Sequence, residues 1–141
     1  MQDLRTQTPI KEGYVVAGGI RTRYFEAGSG PVVILLHGSS LAIDAWATWY
    51  NTMPALSQRF RVLAPDLVGF GLSDASPDGK LVSRLERRHH VFAFIQALGV
   101  TRCGLIGHSE GGFIAAMLAL EHPDLVTEVV IVSSGATAPR L

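Results

Sequence analysis

The sequence holds a single cysteine, Cys103, among 141 residues. One cysteine excludes an internal disulfide and a zinc site built from cysteines. Cys103 opens an apolar run and reads as a small core residue rather than a reactive thiol. Net charge is also lacking: Lys plus Arg number 12, and Asp plus Glu number 12. A neutral chain offers no electrostatic reason to expect nucleic acid or an anionic membrane surface as partner. No run approaches the ~18 apolar residues of a membrane span. Met1 to Glu12 is polar and lacks the apolar stretch of a signal peptide, so the expected compartment is the cytoplasm, by default. Repeats and low-complexity segments are absent. What is there is an apolar share of 48% against 17% charged residues, which suits one globular domain with a core of its own.

Two strands are predicted around Gly18-Gly19, Tyr14 to Ala17 and Ile20 to Ala27, a hairpin covering 14–27. In the second, Ile20, Thr22, Tyr24 and Glu26 alternate with Arg21, Arg23 and Phe25. The Gly28-Ser29-Gly30-Pro31 cluster breaks the chain. Val32-Val33-Ile34-Leu35-Leu36 is continuously apolar and rich in β-branched residues, as a strand buried on both faces must be. Arg61 to Pro65, Gly104 to Gly107 and Val129 to Val132 are three further buried strands. Between them lie helical patterns. Asp44 caps a helix carrying Trp46, Trp49, Tyr50 and Met53, with Pro54 starting or kinking its second half. Ser83 caps a helix from Arg84 to Leu98, ended by Gly99. A third helix runs from Glu110 to Glu121 and stops at His122-Pro123. A hairpin followed by βα units over 32–135 predicts an α/β fold, a mostly parallel sheet with helices on both faces. Ligands bind such sheets at the carboxyl ends of the strands, so the loops after Leu36, Pro65, Gly107 and Val132 are where function is expected.

One of those loops carries chemistry. Gly107-His108-Ser109-Glu110-Gly111-Gly112 is a G-x-S-x-G sequence directly after a strand and directly before a helix, the context that the motif requires. The turn is too sharp for side chains at the flanking positions. It projects the Ser109 hydroxyl from the sheet and sets it at a helix N-terminus, where N–H groups and the dipole favour developing negative charge. Ser109 is therefore the candidate nucleophile; a serine N-cap between incidental glycines is the bland alternative. Acyl transfer also needs two backbone N–H donors facing the oxyanion. Glu110 supplies one. The loop of His37-Gly38-Ser39-Ser40 supplies the other, from Ser39 or Ser40. His37 itself reads as a structural histidine bonded within its loop. Asp66, in Asp66-Leu67-Val68-Gly69-Phe70-Gly71-Leu72-Ser73, reads as a carboxylate bonding local backbone rather than as a catalytic acid. A phosphate cradle is disfavoured there, because no helix starts directly after the glycines. No metal and no cofactor is expected.

These three loops, in this order, resemble the N-terminal half of an α/β-hydrolase. Ala17 to Tyr24 and Ser133 to Ala136 are similar to the hydrolases that cut the carbon–carbon bond of meta-ring-cleavage products, dienol diketones from aromatic catabolism. Those enzymes carry Asn before the nucleophile, where His108 stands here, and a glycine-rich loop where Ser39-Ser40-Leu41 stands. Serine rather than aspartate at position 109 argues against dehalogenase and epoxide-hydrolase chemistry. The resemblance implies a small-molecule substrate. It also implies that a cap, two more strands, the acid and the catalytic His follow Leu141, so that residues 1–141 form a single incomplete core, truncated before those parts.

A serine nucleophile needs a base and an orienting acid. In this resemblance both follow the serine, yet the only histidine after Ser109 is His122. It sits at the far end of the helix, roughly 20 Å away. His89 and His90 are expected on a helix surface. Two further expectations come from the missing neighbours. Val129 to Val132 becomes a sheet edge open to self-association, and the face carrying Ile114, Leu118 and Leu120 is partly exposed. The parent activity is expected to be carbon–carbon hydrolysis of a dienol diketone. The alternatives are a carboxylesterase, or a catalytically inactive half-domain acting as an interaction module.

Overall fold

In the computed structural model, residues 8–135 are described. The elements are β1 (Lys11–Ala17), β2 (Ile20–Ala27), β3 (Val32–Leu36), α1 (Ala45–Trp49), α2 (Met53–Leu56), β4 (Arg61–Pro65), α3 (Arg84–Ala97), β5 (Cys103–His108), α4 (Glu110–Glu121) and β6 (Val126–Val132). They form one six-stranded sheet in the order β1-β2-β4-β3-β5-β6. The hairpin is antiparallel within itself and against β4, while β4, β3, β5 and β6 run parallel. Its turn needs glycine twice, because Gly18 (φ 57°) and Gly19 (φ 83°) are both left-handed.

β3 shows why its run is uniformly apolar. Ile34, Leu35 and Leu36 are all fully buried. Ile34 and Leu36 pack with Leu63, Phe94, Leu105, Ile114 and Leu118, under α3 and α4. Leu35 points the other way, among Phe25, Ala45, Trp49, Met53 and Val62, under α1 and α2. Cys103 is a core residue as expected, its thiol pushed up to about 11 by burial, which leaves it protonated and unreactive at neutral pH.

Several boundaries differ from the sequence reading. β1 begins at Lys11, β5 extends to Cys103 and His108, and β6 begins at Val126, because ladder hydrogen bonds carry strands past their apolar centres. The helix expected from Asp44 through Met53 is two short ones: Asp44 does cap α1 by accepting from the Ala47 N–H, but Pro54 sits in the first turn of α2, where its missing N–H costs nothing. Ile114 and Leu118 are buried rather than exposed; on that helix only Leu120, at 79% exposure, matches the expectation. α3 supplies the reason, since it lies against α4 in the same core cluster.

His90 is the larger correction. It is buried, not on a helix surface. The Val68 N–H donates to its Nδ1 at 3.0 Å, so the ring proton sits on Nε2 and faces the Thr22 hydroxyl oxygen at 2.7 Å. Thr22 in turn donates to the Ile20 carbonyl. One imidazole thus joins α3, β2 and the loop after β4. Burial lowers its pKa from 6.5 to about 4. The unfolded chain therefore takes up a proton near pH 6.5 that the native state refuses until about pH 4. Stability is complete above pH 6.5 and falls as the pH drops through that window, by roughly 3 kcal/mol in all for this group. His90→Leu is expected to lower stability at pH 7 by ~1–3 kcal/mol, by orphaning the Val68 N–H, and to flatten the acid slope. Urea titrations at pH 7, 6, 5 and 4.5 give both quantities. An unchanged slope in the variant would remove His90 from the acid response.

Candidate active site

β5 runs straight into Ser109, whose φ of 54° and ψ of −118° lie outside both helical and strand geometry. A left-handed φ at a non-glycine residue is strained, and such strain persists only where the surroundings hold it. They do so here on both sides. The Ser109 N–H donates to the Val132 carbonyl at 2.9 Å, and its own carbonyl accepts from Gly112 at 3.0 Å. The glycines are a steric necessity. A methyl group on Gly107 would overlap the Gly111 backbone, and one on Gly111 would overlap the Leu36 carbonyl oxygen. The turn packs so closely against the end of β3 that no side chain fits. Ser109 itself is exposed at the carboxyl end of β5.

Opposite it runs the loop after β3. A methyl on Gly38 would come within 3.1 Å of the Ser109 β-carbon and 3.4 Å of His108 Nδ1. Ser39 and Ser40 follow and are exposed. The Ser40 carbonyl accepts from Ile43, and Ala42 between them takes a φ of 62°. On the other side, the N–H of Glu110 stands at the first position of α4, where the helix itself supplies no acceptor. The candidate nucleophile and both candidate oxyanion loops are therefore brought together at one end of the sheet. Beside them an open cleft of about 370 Å³ is lined by Ser40, Leu41, Asp44, Gly69, Phe70 and Gly71 among others.

His37 is fully buried and holds two loops, not one. The Leu67 N–H donates to its Nε2 at 3.0 Å, so Nδ1 carries the proton and donates to the Gly38 carbonyl at 2.6 Å. Burial depresses its pKa below 6.5, which keeps it neutral and fixed in this tautomer. Asp66 is likewise structural. Oδ1 accepts from the Ala45 N–H at 2.9 Å. Oδ2 accepts from Arg23 Nε at 2.7 Å and from the Leu72 N–H at 2.9 Å. Only the last contact is local; the others tie the loop after β4 to β2 and to α1.

Of the remaining histidines, His108 directly precedes Ser109 and turns its Nδ1 toward Gly38, while the other two are spoken for or remote. His122 stacks on Phe92 with ring centroids 4.2 Å apart, at the far end of α4. His89 is exposed beside Arg88. Among the described residues no histidine is hydrogen-bonded to Ser109. Two contributors escaped the sequence reading, Arg87 and Phe70. Both Glu110 carboxylate oxygens accept from Arg87 Nη1, at 2.9 and 2.8 Å, and the Arg87 guanidinium lies 5.0 Å over the Phe70 ring. An arginine in a charged helical turn carries no signal that separates it from a solvated one.

The model of the alpha/beta hydrolase fold family matches residues 31–140, most of the chain. The chain belongs to that family. It is 36% identical over 124 residues to the 2-hydroxymuconate semialdehyde hydrolase of Pseudomonas sp. strain CF600, covering 88% of its own length and 44% of the relative. It superposes on a meta-cleavage product hydrolase from Pseudomonas fluorescens IP01 with a TM-score of 0.82 at 35% identity, over 86% of this chain and 44% of the other. A soluble epoxide hydrolase from Corynebacterium sp. strain C12 is 36% identical over 124 residues, 88% of this chain and 42% of the relative. The chain thus spans less than half the length of these hydrolases. No helix among the described residues is long and apolar enough to cross a membrane.

Proposed function

We propose that these residues are the nucleophile-bearing half of a serine hydrolase that cuts a carbon–carbon bond in a dienol diketone ring-cleavage product. The observation that carries the reading is Ser109 on its strained turn, exposed and flanked by Glu110 and by the Gly38–Ser40 loop. Kinship with the meta-cleavage product hydrolases supplies the substrate class. Identity alone does not choose the reaction, since an epoxide hydrolase is also 36% identical over 124 residues; a serine at position 109 rather than a carboxylate favours acyl chemistry.

In this reading the Ser109 oxygen adds to the ketone carbonyl as a base removes its proton. The carbonyl oxygen becomes an oxyanion facing the N–H of Glu110 and that of Ser39 or Ser40, donors fixed before the reaction begins. Collapse of the tetrahedral species breaks the carbon–carbon bond, and the departing dienol carbon takes a proton. Water then releases the acyl group from Ser109. The base and its orienting acid lie outside the described residues in this scheme, His37 being committed to backbone and Asp66 to backbone and to Arg23. The partner is a small molecule and the setting cytoplasmic. These residues belong to a single incomplete core, which by itself is open to self-association along β6.

Steady-state kcat/KM of the full-length protein carrying these residues tests the substrate class. A ring-fission dienol diketone is expected to be preferred over an aryl ester of similar size by about tenfold or more. A clear preference for the ester assigns the protein to the carboxylesterases.

A further inference from the structure

Arg87 touches both sides of the nucleophile without touching the nucleophile. It stands in the first turn of α3 (Arg84–Ala97), one helix away from the elbow. Toward the elbow, its Nη1 sits between the two carboxylate oxygens of Glu110, the residue whose N–H is offered to the oxyanion. Arg87 and Glu110 side chains are only 17% and 10% exposed, so water screens this pair little. Toward the opposite loop, the flat face of the guanidinium covers the Phe70 ring. Phe70 meets the His37 ring in an edge contact, centroids 5.2 Å apart, and His37 holds the Gly38 carbonyl. A short chain of contacts therefore runs from Glu110 through Arg87, Phe70 and His37 to Gly38.

We propose that Arg87 is a positioning residue that sets the two oxyanion donors of the site, Glu110 and the Gly38–Ser40 loop, at a fixed separation across Ser109. The proposal rests on the reading of Ser109 as nucleophile. A second observation separates it from plain structural stabilisation. Arg87 Nε is buried with no hydrogen-bond partner among the described residues. An arginine kept only for stability gains nothing from an orphaned buried donor, which is a cost. The cost makes sense if the guanidinium is aimed for Glu110 and Phe70 at once, since oxyanion donors lose their advantage when they shift by fractions of an ångström.

The two sides can be read separately by amide exchange in the full-length protein carrying these residues. The Gly112 N–H, bonded to the Ser109 carbonyl, reports the elbow. The Leu67 N–H, bonded to His37, reports the opposite loop. The Cys103 N–H, bonded to Leu125 at the other end of the sheet, is the control. Arg87→Met is expected to speed exchange at Gly112 and Leu67 by about tenfold each, with Cys103 unchanged. Arg87→Lys keeps a cation for Glu110 but loses the flat face, so Leu67 alone speeds up. Phe70→Leu is expected to do the same. If Arg87→Met leaves either reporter at the wild-type rate, or if Arg87→Lys moves both reporters together with Cys103, the coupling is absent and the proposal fails.

In the full-length enzyme, Arg87→Met is expected to lower kcat by about tenfold to a hundredfold with KM within about twofold, because donors to the transition state are displaced and substrate binding is not. A KM effect alone overturns the positioning role. Ser109→Ala in the same enzyme isolates the underlying reading. Activity that survives it overturns the nucleophile assignment and the proposal with it. Activity that vanishes with Ser109→Ala but persists at full kcat in Arg87→Met overturns the proposal alone.

Discussion

The 141-residue chain by itself is expected to show no acyl-enzyme burst with activated aryl esters and no turnover above that of its Ser109→Ala variant. The elbow is formed and the serine exposed, but a serine hydroxyl at neutral pH is a poor nucleophile until a base takes its proton. His37 cannot do so: its Nε2 is occupied by the Leu67 N–H and its Nδ1 proton by the Gly38 carbonyl. His90 is locked in the same way between Val68 and Thr22, His122 lies at the opposite end of α4, His89 is exposed beside Arg88, and His108 turns its Nδ1 toward Gly38, with no hydrogen bond to Ser109. Serine hydrolases stripped of a triad member retain only ~10³–10⁴-fold catalysis over water, against ~10⁶-fold and more for intact enzymes. Stopped-flow release of a chromophoric alcohol measures the burst. A stoichiometric burst that disappears in Ser109→Ala would falsify the claim that these residues contain no base.

The second large effect concerns association. Among the described residues β6 ends the sheet. It carries Val130 and Val132 at 52% and 40% exposure, on a run without proline and with Glu128 as the single charge. A strand of that composition offers unpaired N–H and C=O groups to any second copy. Exposed Leu120, on the neighbouring helix, adds apolar surface. The purified chain is expected to be oligomeric or aggregating at micromolar concentration, by sedimentation or light scattering. Val130→Lys is the preferred control. Ile131 is half-buried, and its Cγ2 lies 3.0 Å from where a Gly112 β-carbon would stand, so a lysine there disturbs the elbow as well as the edge. A monodisperse monomer that unfolds cooperatively would contradict the edge-pairing idea, and an oligomer unaffected by Val130→Lys would move the contact elsewhere.

The candidate site was legible to the extent that it consists of backbone. Gly107, Gly111 and Gly112 around Ser109 announce a turn with no room for side chains, and the structure shows the overlaps that forbid them. The histidines were less legible. His37 was read as structural, which its bonds bear out, yet its hold on Leu67 joins two loops thirty positions apart. The sequence pattern puts His90 on a helix surface and the structure buries it, because the α3 sequence is rich in charge around it and its partners, Thr22 and Val68, come from other elements.

Sequence by itself determined the order of strands and helices, the parallel sheet, and the strand–turn–helix bearing Ser109, because these rest on local periodicity and on sterics within a few residues. Only the tertiary structure decided which polar side chains are buried and what each one holds. Arg87 on Glu110 and Phe70, Asp66 on Arg23 and Ala45, and His90 on Thr22 are contacts between distant segments. A buried polar group is fixed by whichever partner the packed core brings within hydrogen-bond reach, and no periodicity along the chain encodes that partner.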